Sequence, residues 1–340
     1  MTATMVPSAP ADGGDRRPRR LVRAVPGAGD RLFLGLNRTS ALVVLLVFTC
    51  IGLFLGIRAF SAVKVAKFSF LTTSAWEPDI HHFGIAGIMA DTLFIALVAV
   101  IIAIPISFGL SLYISEIAPQ RIKKTLVSLV DLMAAIPSIV YGLWAFYFLQ
   151  GRTIGIARWM SVWLGWIPIF HVSDSQAGNP TDLGHEFTAS TFVCGIAVSL
   201  MVIPILTSVM RESYSQAPLG EREGAYALGA TRWGMIRSVV IPFGRGGIIG
   251  GTMLGLGRAL GETIVVILII SPVFTANIHI LQTGGNSISY LIANLVPDSS
   301  PFGVSALMAA GLALFGLTLI INFGASAVVA RSRSGAESDG

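Results

Sequence analysis

The chain has 340 residues, of which 54% are hydrophobic and 12% are charged, and its mean hydropathy is +0.76. A soluble globular domain carries about 25% charged residues, so this composition excludes an ordinary water-soluble protein and indicates a protein of the bilayer. The net charge of +5 comes from short basic clusters between apolar segments. Such clusters are typical of membrane topology signals rather than of a nucleic-acid-binding surface, and no nucleic-acid partner is expected.

Residues 1–38 are rich in Arg, Pro, Gly and Ala and have no apolar period, so we predict a flexible cytoplasmic tail. Six apolar segments follow, each close to the roughly 20 residues that a spanning helix needs. The sequence therefore predicts an all-α membrane protein with a six-helix transmembrane domain over 39–331 and a second tail over 332–340. The six spans are placed at 39–60, 87–115, 126–150, 187–210, 246–271 and 302–330. Pro105, Pro137 and Pro204 fall inside spans, and each should kink its helix because proline lacks a backbone donor.

The distribution of Lys and Arg predicts the direction of these spans. With the N-terminus inside, 17 of the 23 basic residues fall on the cytoplasmic side, five fall outside, and Arg258 lies within a span. Short loops rich in Lys and Arg stay in the cytoplasm, so both termini are expected there and the chain is expected in a bacterial inner membrane. Outside, Trp159, Trp163 and Trp166 follow a helical spacing, which predicts a short helix at the outer interface.

The cytoplasmic loop over 211–243 has the signals of two short helices joined by a turn. Pro218 suits the start of the first helix, and acidic residues follow it at the positive end of the helix dipole. Gly229 is expected to end that helix in a left-handed conformation, and Thr231 is expected to cap the second. The loop should therefore project from the membrane as a helix-turn-helix.

The spacing of residues in this loop resembles the EAA loop of ABC importer permeases. Glu223, Gly224 and Ala225 are followed by Gly229, and Pro242 closes an aliphatic segment at the expected distance. Gly224 departs from the usual alanine of that family. The resemblance implies that these residues dock on a separate ATPase subunit, whereas an ordinary interhelical loop is the alternative interpretation.

The chain itself has no visible nucleotide site. A phosphate-binding P-loop needs a Gly-Lys pair, and none of the lysines, Lys64, Lys67, Lys123 and Lys124, follows a glycine. We therefore expect a transport subunit rather than an enzyme, with no cofactor of its own. ATP with magnesium would bind to the partner chain.

Two charges interrupt the fifth predicted span. Arg258 lies twelve residues beyond Gly246, which is about 18 Å along a helix and near the middle of a core about 30 Å thick. Glu262 follows one turn later and is expected to neutralise Arg258 in part. Charges at this depth are costly and mark a substrate path by default, with a structural ion pair as the alternative.

An arginine in a dry site binds tetrahedral oxyanions because its planar fork donates two parallel hydrogen bonds. A nearby carboxylate accepts a hydrogen bond from a protonated oxygen, which phosphate carries near neutral pH and sulfate does not. The pair Arg258 and Glu262 therefore favours phosphate over sulfate as a hypothesis. An importer of another oxyanion, such as sulfate or molybdate, stays open at this point.

The segment 257–263 resembles the signature of the permeases of phosphate-specific ABC importers, and segments 115–119 and 136–144 look more like the PstC type. The resemblance covers about residues 40–330. It implies the type I ABC importer permease fold, and a complex with a second homologous permease, a cytoplasmic ATPase dimer and an extracytoplasmic phosphate-binding protein.

Other titratable residues give weaker signals. Asp91 and Asp131 lie near the ends of predicted spans, where an interfacial position is favoured over a place in the path. The histidines have no metal-ligand spacing, and no metal site is expected. A channel or carrier that works without an ATPase, and a membrane-embedded enzyme, remain as alternatives from other classes.

Overall fold

In a computed structural model of the chain, residues 27–172, 185–275 and 277–333 are described. The tail predicted over 1–38 and the tail predicted over 332–340 lie largely outside these residues. The first helices are α1 (Ala28–Ala66), α2 (Ser69–Thr72), α3 (Ala86–Leu112), α4 (Gln120–Ala135), α5 (Ser138–Trp144), α6 (Gln150–Leu164) and α7 (Thr191–Ser215). The later helices are α8 (Leu219–Ala227), α9 (Arg232–Met235), α10 (Ile241–Leu260), α11 (Ile264–Ile269), α12 (Ile288–Leu295) and α13 (Pro301–Arg333).

Wider π turns and narrower 3-10 turns connect several of these helices. One short antiparallel ribbon precedes α3, formed by β1 (Trp76–Glu77) and β2 (His82–Phe83). The π turns are Tyr113–Ile117, Ala145–Leu149 and Ile236–Val240. The 3-10 turns are Pro78–Ile80, Pro168–Phe170, His185–Phe187 and Val296–Asp298.

Five helical segments among the described residues are long and apolar enough to cross a membrane, and one bent pair of helices raises the number to six. This agrees with the predicted all-α membrane class. The five segments are Gly29–Ala66, Ala86–Ile117, Thr191–Ser215, Arg232–Leu260 and Pro301–Gly324, and the bent pair is Gln120–Ala135 with Ser138–Leu164.

By contacts the chain divides into two compact units, up to Ile51 and from Gly52 onward. In the first unit α1 begins at Ala28, ten residues before the predicted end of the tail, and the Asp30 carboxylate accepts a hydrogen bond from the Gly27 N–H at 3.1 Å. In the second unit α7 is central, because α3 and α10 pack on it and its side chains dominate the main buried cluster.

The third span differs from a straight helix over 126–150, as the kink predicted at Pro137 requires. It bends by 88° between α4 and the helix that starts at Ser138. Proline lacks an N–H and pushes the preceding residue out of the helical region, and Ile136 is indeed extended with ψ at 127°. The helix then continues to Leu164 through Trp159 and Trp163, which are exposed, so the predicted helix is present at these two tryptophans, whereas Trp166 lies beyond its end.

The fifth span also differs from the single helix predicted over 246–271. A helical segment already starts at Arg232 and continues through the π turn Ile236–Val240 and past Pro242, the second residue of α10. The helix then stops at Leu260, and α11 starts only at Ile264. Beyond α11 the chain returns through residues 270–287 to α12, and Ser190 bridges to this segment at Thr283 and Gly284.

Candidate functional site: an exposed elbow and charges at a helix break

Residues 219–235, hereafter the coupling elbow, form the helix-turn-helix that the sequence predicts. Gly229 has φ at +82°, the left-handed conformation that lets α8 end and the chain reverse. The Thr231 hydroxyl accepts a hydrogen bond from the Gly234 N–H at 3.1 Å and so caps α9. Both local predictions for this loop are confirmed.

The surface of the elbow carries most of the residues that the sequence assigned to docking. Glu223, Gly224 and Gly229 are exposed, whereas Ala225 is partly buried against the main core. Leu228 at the tip is 91% exposed, which is unusual for a leucine in a short turn. Pro242 lies apart from this surface, half-buried at the start of α10. The structure therefore brings together the residues of α8 and the turn, while Pro242 marks where the elbow joins the membrane helix.

The inner side of the elbow is attached through a buried carboxylate. Glu116, in the π turn after α3, has a side chain that is only 4% exposed, and Arg222 of α8 donates to its Oε2 at 2.9 Å. Arg222 also donates to the main-chain carbonyl of Tyr214 at 2.6 Å. From α9, Arg232 donates to the main-chain carbonyl of Glu116. Both helices of the coupling elbow are thus tied to one residue at the end of α3.

Arg258 and Glu262 lie on either side of the break that ends α10. Arg258 is in the last turn of α10 and is exposed, whereas Glu262 is buried beyond the helix end. The Glu262 carboxylate accepts a hydrogen bond from the Val265 N–H at 3.3 Å and so caps α11. Both residues are in the described part of the chain, and no ion pair joins them.

This geometry corrects the expectation that Glu262 follows Arg258 one turn later on a continuous helix and neutralises it. The physical reason is the break itself, where the Gly261 N–H bonds back to the Arg258 carbonyl at 3.2 Å and the helix ends. The Glu262 carboxylate therefore binds an N–H group of α11 and not the Arg258 guanidinium. The guanidinium instead lies near the negative end of the α10 dipole, which favours a cation.

A second buried carboxylate lies near the other end of α3. Asp91 is fully buried, and its Oδ2 accepts a hydrogen bond from the Asn286 N–H at 3.0 Å. The neighbouring Thr92 hydroxyl accepts from the Ile288 N–H at 3.1 Å. Asp91 therefore contacts Asn286 in the segment that returns to α12, and its favoured place at the membrane interface stays a prediction.

The described residues contain no group of three His, Cys, Asp or Glu side chains that is placed to hold a metal ion. Both cysteines are free thiols, with Cys50 exposed and Cys194 buried.

Comparison with known protein families decides the class of this protein. A family described as binding-protein-dependent transport system inner membrane component matches residues 106–334, more than half of the chain. The match includes the coupling elbow, Glu116, Arg258 and Glu262.

The chain belongs to this transport family.

Relatives of this membrane transport component are similar over almost its whole length. One is the phosphate transport system permease protein PstC 2 of Mycobacterium tuberculosis, 34% identical over 319 residues, which are 92% of this chain and 94% of the relative. Another is the phosphate transport system permease protein PstC of Haemophilus influenzae, 34% identical over 298 residues, which are 84% of this chain and 89% of the relative.

Solved structures of similar fold are subunits of ABC transporters. A bacterial ABC transporter involved in the import of the acidic polysaccharide alginate matches with a TM-score of 0.51 and 20% identity, over 88% of this chain and 99% of that one. A bacterial alginate ABC transporter in complex with an alginate pentasaccharide-bound periplasmic protein matches with a TM-score of 0.54 and 20% identity, over 87% and 96%. At this identity the likeness establishes the ABC importer permease fold alone.

The sequence reasoning missed Glu116 and Arg222 as functional candidates in this family member. The segment 115–119 points to Glu116 only through the family resemblance, and Arg222 is one of the 17 basic residues expected on the cytoplasmic side. One signal was available, because Glu116 ends an apolar span just before Pro119 and a carboxylate there needs a partner. The partner is 106 residues away in the sequence, which no local pattern could indicate.

Proposed function

We propose that this chain is the membrane-spanning permease subunit of an ATP-driven phosphate importer. The observation that carries the proposal is the exposed coupling elbow in a chain that is 34% identical, over 92% of its length, to a phosphate permease. An exposed helix-turn-helix with a leucine at its tip has no use in a self-sufficient carrier. Such a helix-turn-helix suits a subunit whose conformational change is driven by another protein that binds to it.

The work is divided between chains in this proposal. The elbow residues Glu223, Gly224, Ala225 and Gly229 dock on a cytoplasmic ATPase, and Pro242 joins the elbow to α10. ATP with magnesium binds to an ATPase dimer, since no lysine of this chain follows a glycine as a P-loop requires. A second homologous permease completes the path, and an extracytoplasmic binding protein delivers phosphate.

Arg258 is the proposed contact for phosphate in the path. Its guanidinium is exposed in the single chain and is not paired with Glu262, so its donors are available to an anion. A guanidinium fork offers two charge-assisted hydrogen bonds to a phosphate oxygen pair. Glu262 adds selectivity in this proposal by accepting a hydrogen bond from the protonated form of phosphate.

The proposed orientation has both termini and the elbow in the cytoplasm and the chain in the inner membrane. The support is the distribution of 17 basic residues on that side against five on the other. The exposed tryptophans of α6 then fall at the outer interface, where indole rings settle.

Uptake of radiolabelled phosphate tests the role of Arg258. Arg258→Gln removes the charge, and the loss of about 1.5–3 kcal/mol for a charged hydrogen bond lowers uptake by roughly 10- to 100-fold. The matched control is Arg245→Gln, an exposed arginine near the start of the same helix. Normal uptake in an assembled Arg258→Gln complex would refute the assigned contact, and uptake of sulfate or molybdate in place of phosphate by the unchanged complex would refute the substrate.

Selectivity is tested separately with Glu262→Gln. The amide oxygen still caps α11, so the helix is kept while the carboxylate charge is lost. We expect phosphate uptake to fall relative to sulfate uptake. An unchanged ratio of phosphate to sulfate uptake would contradict the role of Glu262.

A further inference from the structure

The cytoplasmic end of α3 is a junction of four elements, which we call the Glu116 junction. It consists of Glu116 with Arg222 of α8, Arg232 of α9 and the Tyr214 carbonyl of α7. Arg222 holds the Glu116 carboxylate at 2.9 Å and the Tyr214 carbonyl at 2.6 Å. Arg232 holds the main-chain carbonyl of the same glutamate. The junction therefore links both helices of the coupling elbow to the ends of two membrane helices.

The local structure around residue 116 supports this arrangement. The π turn at Tyr113–Ile117 places Glu116 at the inner side, and the Ser115 hydroxyl donates to Oε1 at 2.7 Å. The Lys123 ammonium donates to the Ser115 carbonyl at 3.1 Å and fixes the start of α4 to the same turn. Positive side chains at the last carbonyls of a helix are favourable because they meet the negative end of its dipole.

Helix α8 has two different faces. Glu223 and Gly224 face outward and are exposed, whereas Arg222 between Glu221 and Glu223 faces inward and is 18% exposed. No residue of α8 is fully buried. Apolar packing of α8 is therefore slight, and the polar tie through Arg222 is its main directed attachment to the bundle.

The interaction between Arg222 and Glu116 should also persist when α8 moves. The Glu116 side chain is only 4% exposed, so separating it from Arg222, which is 18% exposed, leaves a largely buried carboxylate unpaired, which is more unfavourable than the intact pair. When α8 is displaced, Glu116 and the ends of α3 and α7 must therefore follow. An apolar contact, in contrast, lets one helix slide over another.

We infer that Glu116 is a positioning residue that transmits movement of the coupling elbow to α3 and α7 through Arg222 and Arg232. This inference rests on the proposed function and deepens it, because it names the joint between the docking surface and the transport path. The residue touches neither nucleotide nor transported ion. Its loss should therefore uncouple ATP hydrolysis from transport rather than abolish hydrolysis.

The test uses the complete complex in lipid vesicles, with phosphate uptake and ATP hydrolysis measured on the same sample. Glu116→Gln and Arg222→Gln should lower the phosphate transported per ATP hydrolysed by about 5-fold or more, the lower end of typical coupling effects. The matched control is Glu212→Gln, an exposed carboxylate at the end of α7 that contacts Gln216 and not the elbow. An unchanged ratio in both junction variants overturns the inference.

A double variant separates transmission from folding. Glu116→Met with Arg222→Met removes both charges, and replacing a buried pair by apolar residues of similar size is often neutral for stability. The expected result is an assembled complex that hydrolyses ATP with a low transport ratio. The contrary result is a double variant that transports as much phosphate per ATP hydrolysed as the wild type, with a lowered ratio or failed assembly only in the single variants. That result would assign the pair to folding and overturn the inference.

A readout without phosphate keeps this test apart from the proposed substrate. A spin label at Ile117→Cys, with Cys50 and Cys194 replaced by Ala, reports the end of α3. Its spectrum should change on ATP binding in the complex, and the double Met variant should lose that change. Absence of phosphate uptake by the unchanged complex would refute the proposed function, whereas a retained ATP-dependent change in the double variant would refute the role of Glu116.

Discussion

Gly229 shows how one backbone conformation shapes the coupling elbow. Its φ of +82° lies in the left-handed region, where a side chain meets the following carbonyl oxygen at a cost of roughly 1–2 kcal/mol. A Cβ at this position would otherwise meet only open space. The requirement for glycine is therefore set by the backbone and not by crowding within this chain.

Gly229→Ala should raise the rate of hydrogen exchange of the α8 and α9 amides by roughly 5- to 30-fold, because about 1–2 kcal/mol of local stability is lost. Gly224→Ala is the matched control, since Gly224 is helical, has open space at its Cβ and should gain about 0.5–1 kcal/mol. Exchange would be measured on the purified chain in detergent. Equal effects of the two substitutions would contradict the left-handed turn.

Residue-scale features were predictable where a local rule decides them. The turn at Gly229 and the cap at Thr231 follow from sequence because each depends on backbone geometry within a few residues. The Glu116 junction and the Asp91 contact to Asn286 join residues 106 and 195 positions apart. Such pairs depend on how the helices pack, which hydropathy and spacing do not encode.

The glycines of α10 give this helix two different sides. Gly247, Gly251 and Gly255 face α7, and a Cβ at Gly255 would meet Leu206 and also Val202 Cγ1 at 2.7 Å. Gly250 and Gly257 have open space at the Cβ position. Small residues at four-residue spacing thus let α10 approach α7 closely, as expected for packing within a bundle.

Gly255→Ala should destabilise the bundle by about 1–3 kcal/mol, because the added methyl forces α10 away from α7. Gly250→Ala on the open side of the same helix is the control and should be neutral in the isolated chain. The measurement is the thermal unfolding midpoint of the purified chain in detergent. The packing would be in doubt if Gly250→Ala lowered the midpoint as much as Gly255→Ala.

At the scale of elements, apolar length indicated how many helical spans to expect but not where they break. The bend at Pro137 was predictable because proline lacks a backbone N–H. The break at Gly261 was masked by the apolar residues of α11. A hydropathy window averages over such sites, so a helix end between two apolar segments leaves almost no trace in it.

For the whole molecule, the proposed topology predicts which sites face the cytoplasm. In a chain with Cys50 and Cys194 replaced by Ala, Leu228→Cys should react with a membrane-impermeant thiol reagent only from the cytoplasmic side. Trp166→Cys, 80% exposed after α6, is the counterpart and should react only from outside. Both sites reacting from one side, or the reverse pattern, would contradict the orientation.

The whole-molecule class followed from the sequence because it depends on composition and on the sum of many weak signals. A charged content of 12% and six long apolar segments leave little choice besides a helical membrane protein. The EAA spacing then indicated the importer permeases, and membership of the transport family agrees with that. Packing of α7 at the centre of its unit is a property of the assembled helices and had no sequence signal of its own.

The exposed Arg258 in the last turn of α10 bears on how stable a single copy of the chain is before it assembles. Acyl chains offer no hydrogen bonds, so at the depth proposed for Arg258 a copy inserted alone presents an unpaired charge to a solvent that cannot satisfy it. Unassembled copies should therefore be unstable in the bilayer and should be degraded by quality-control proteases. In the proposed complex the second permease shields this face, so balanced synthesis of the two subunits should determine how much of this chain persists.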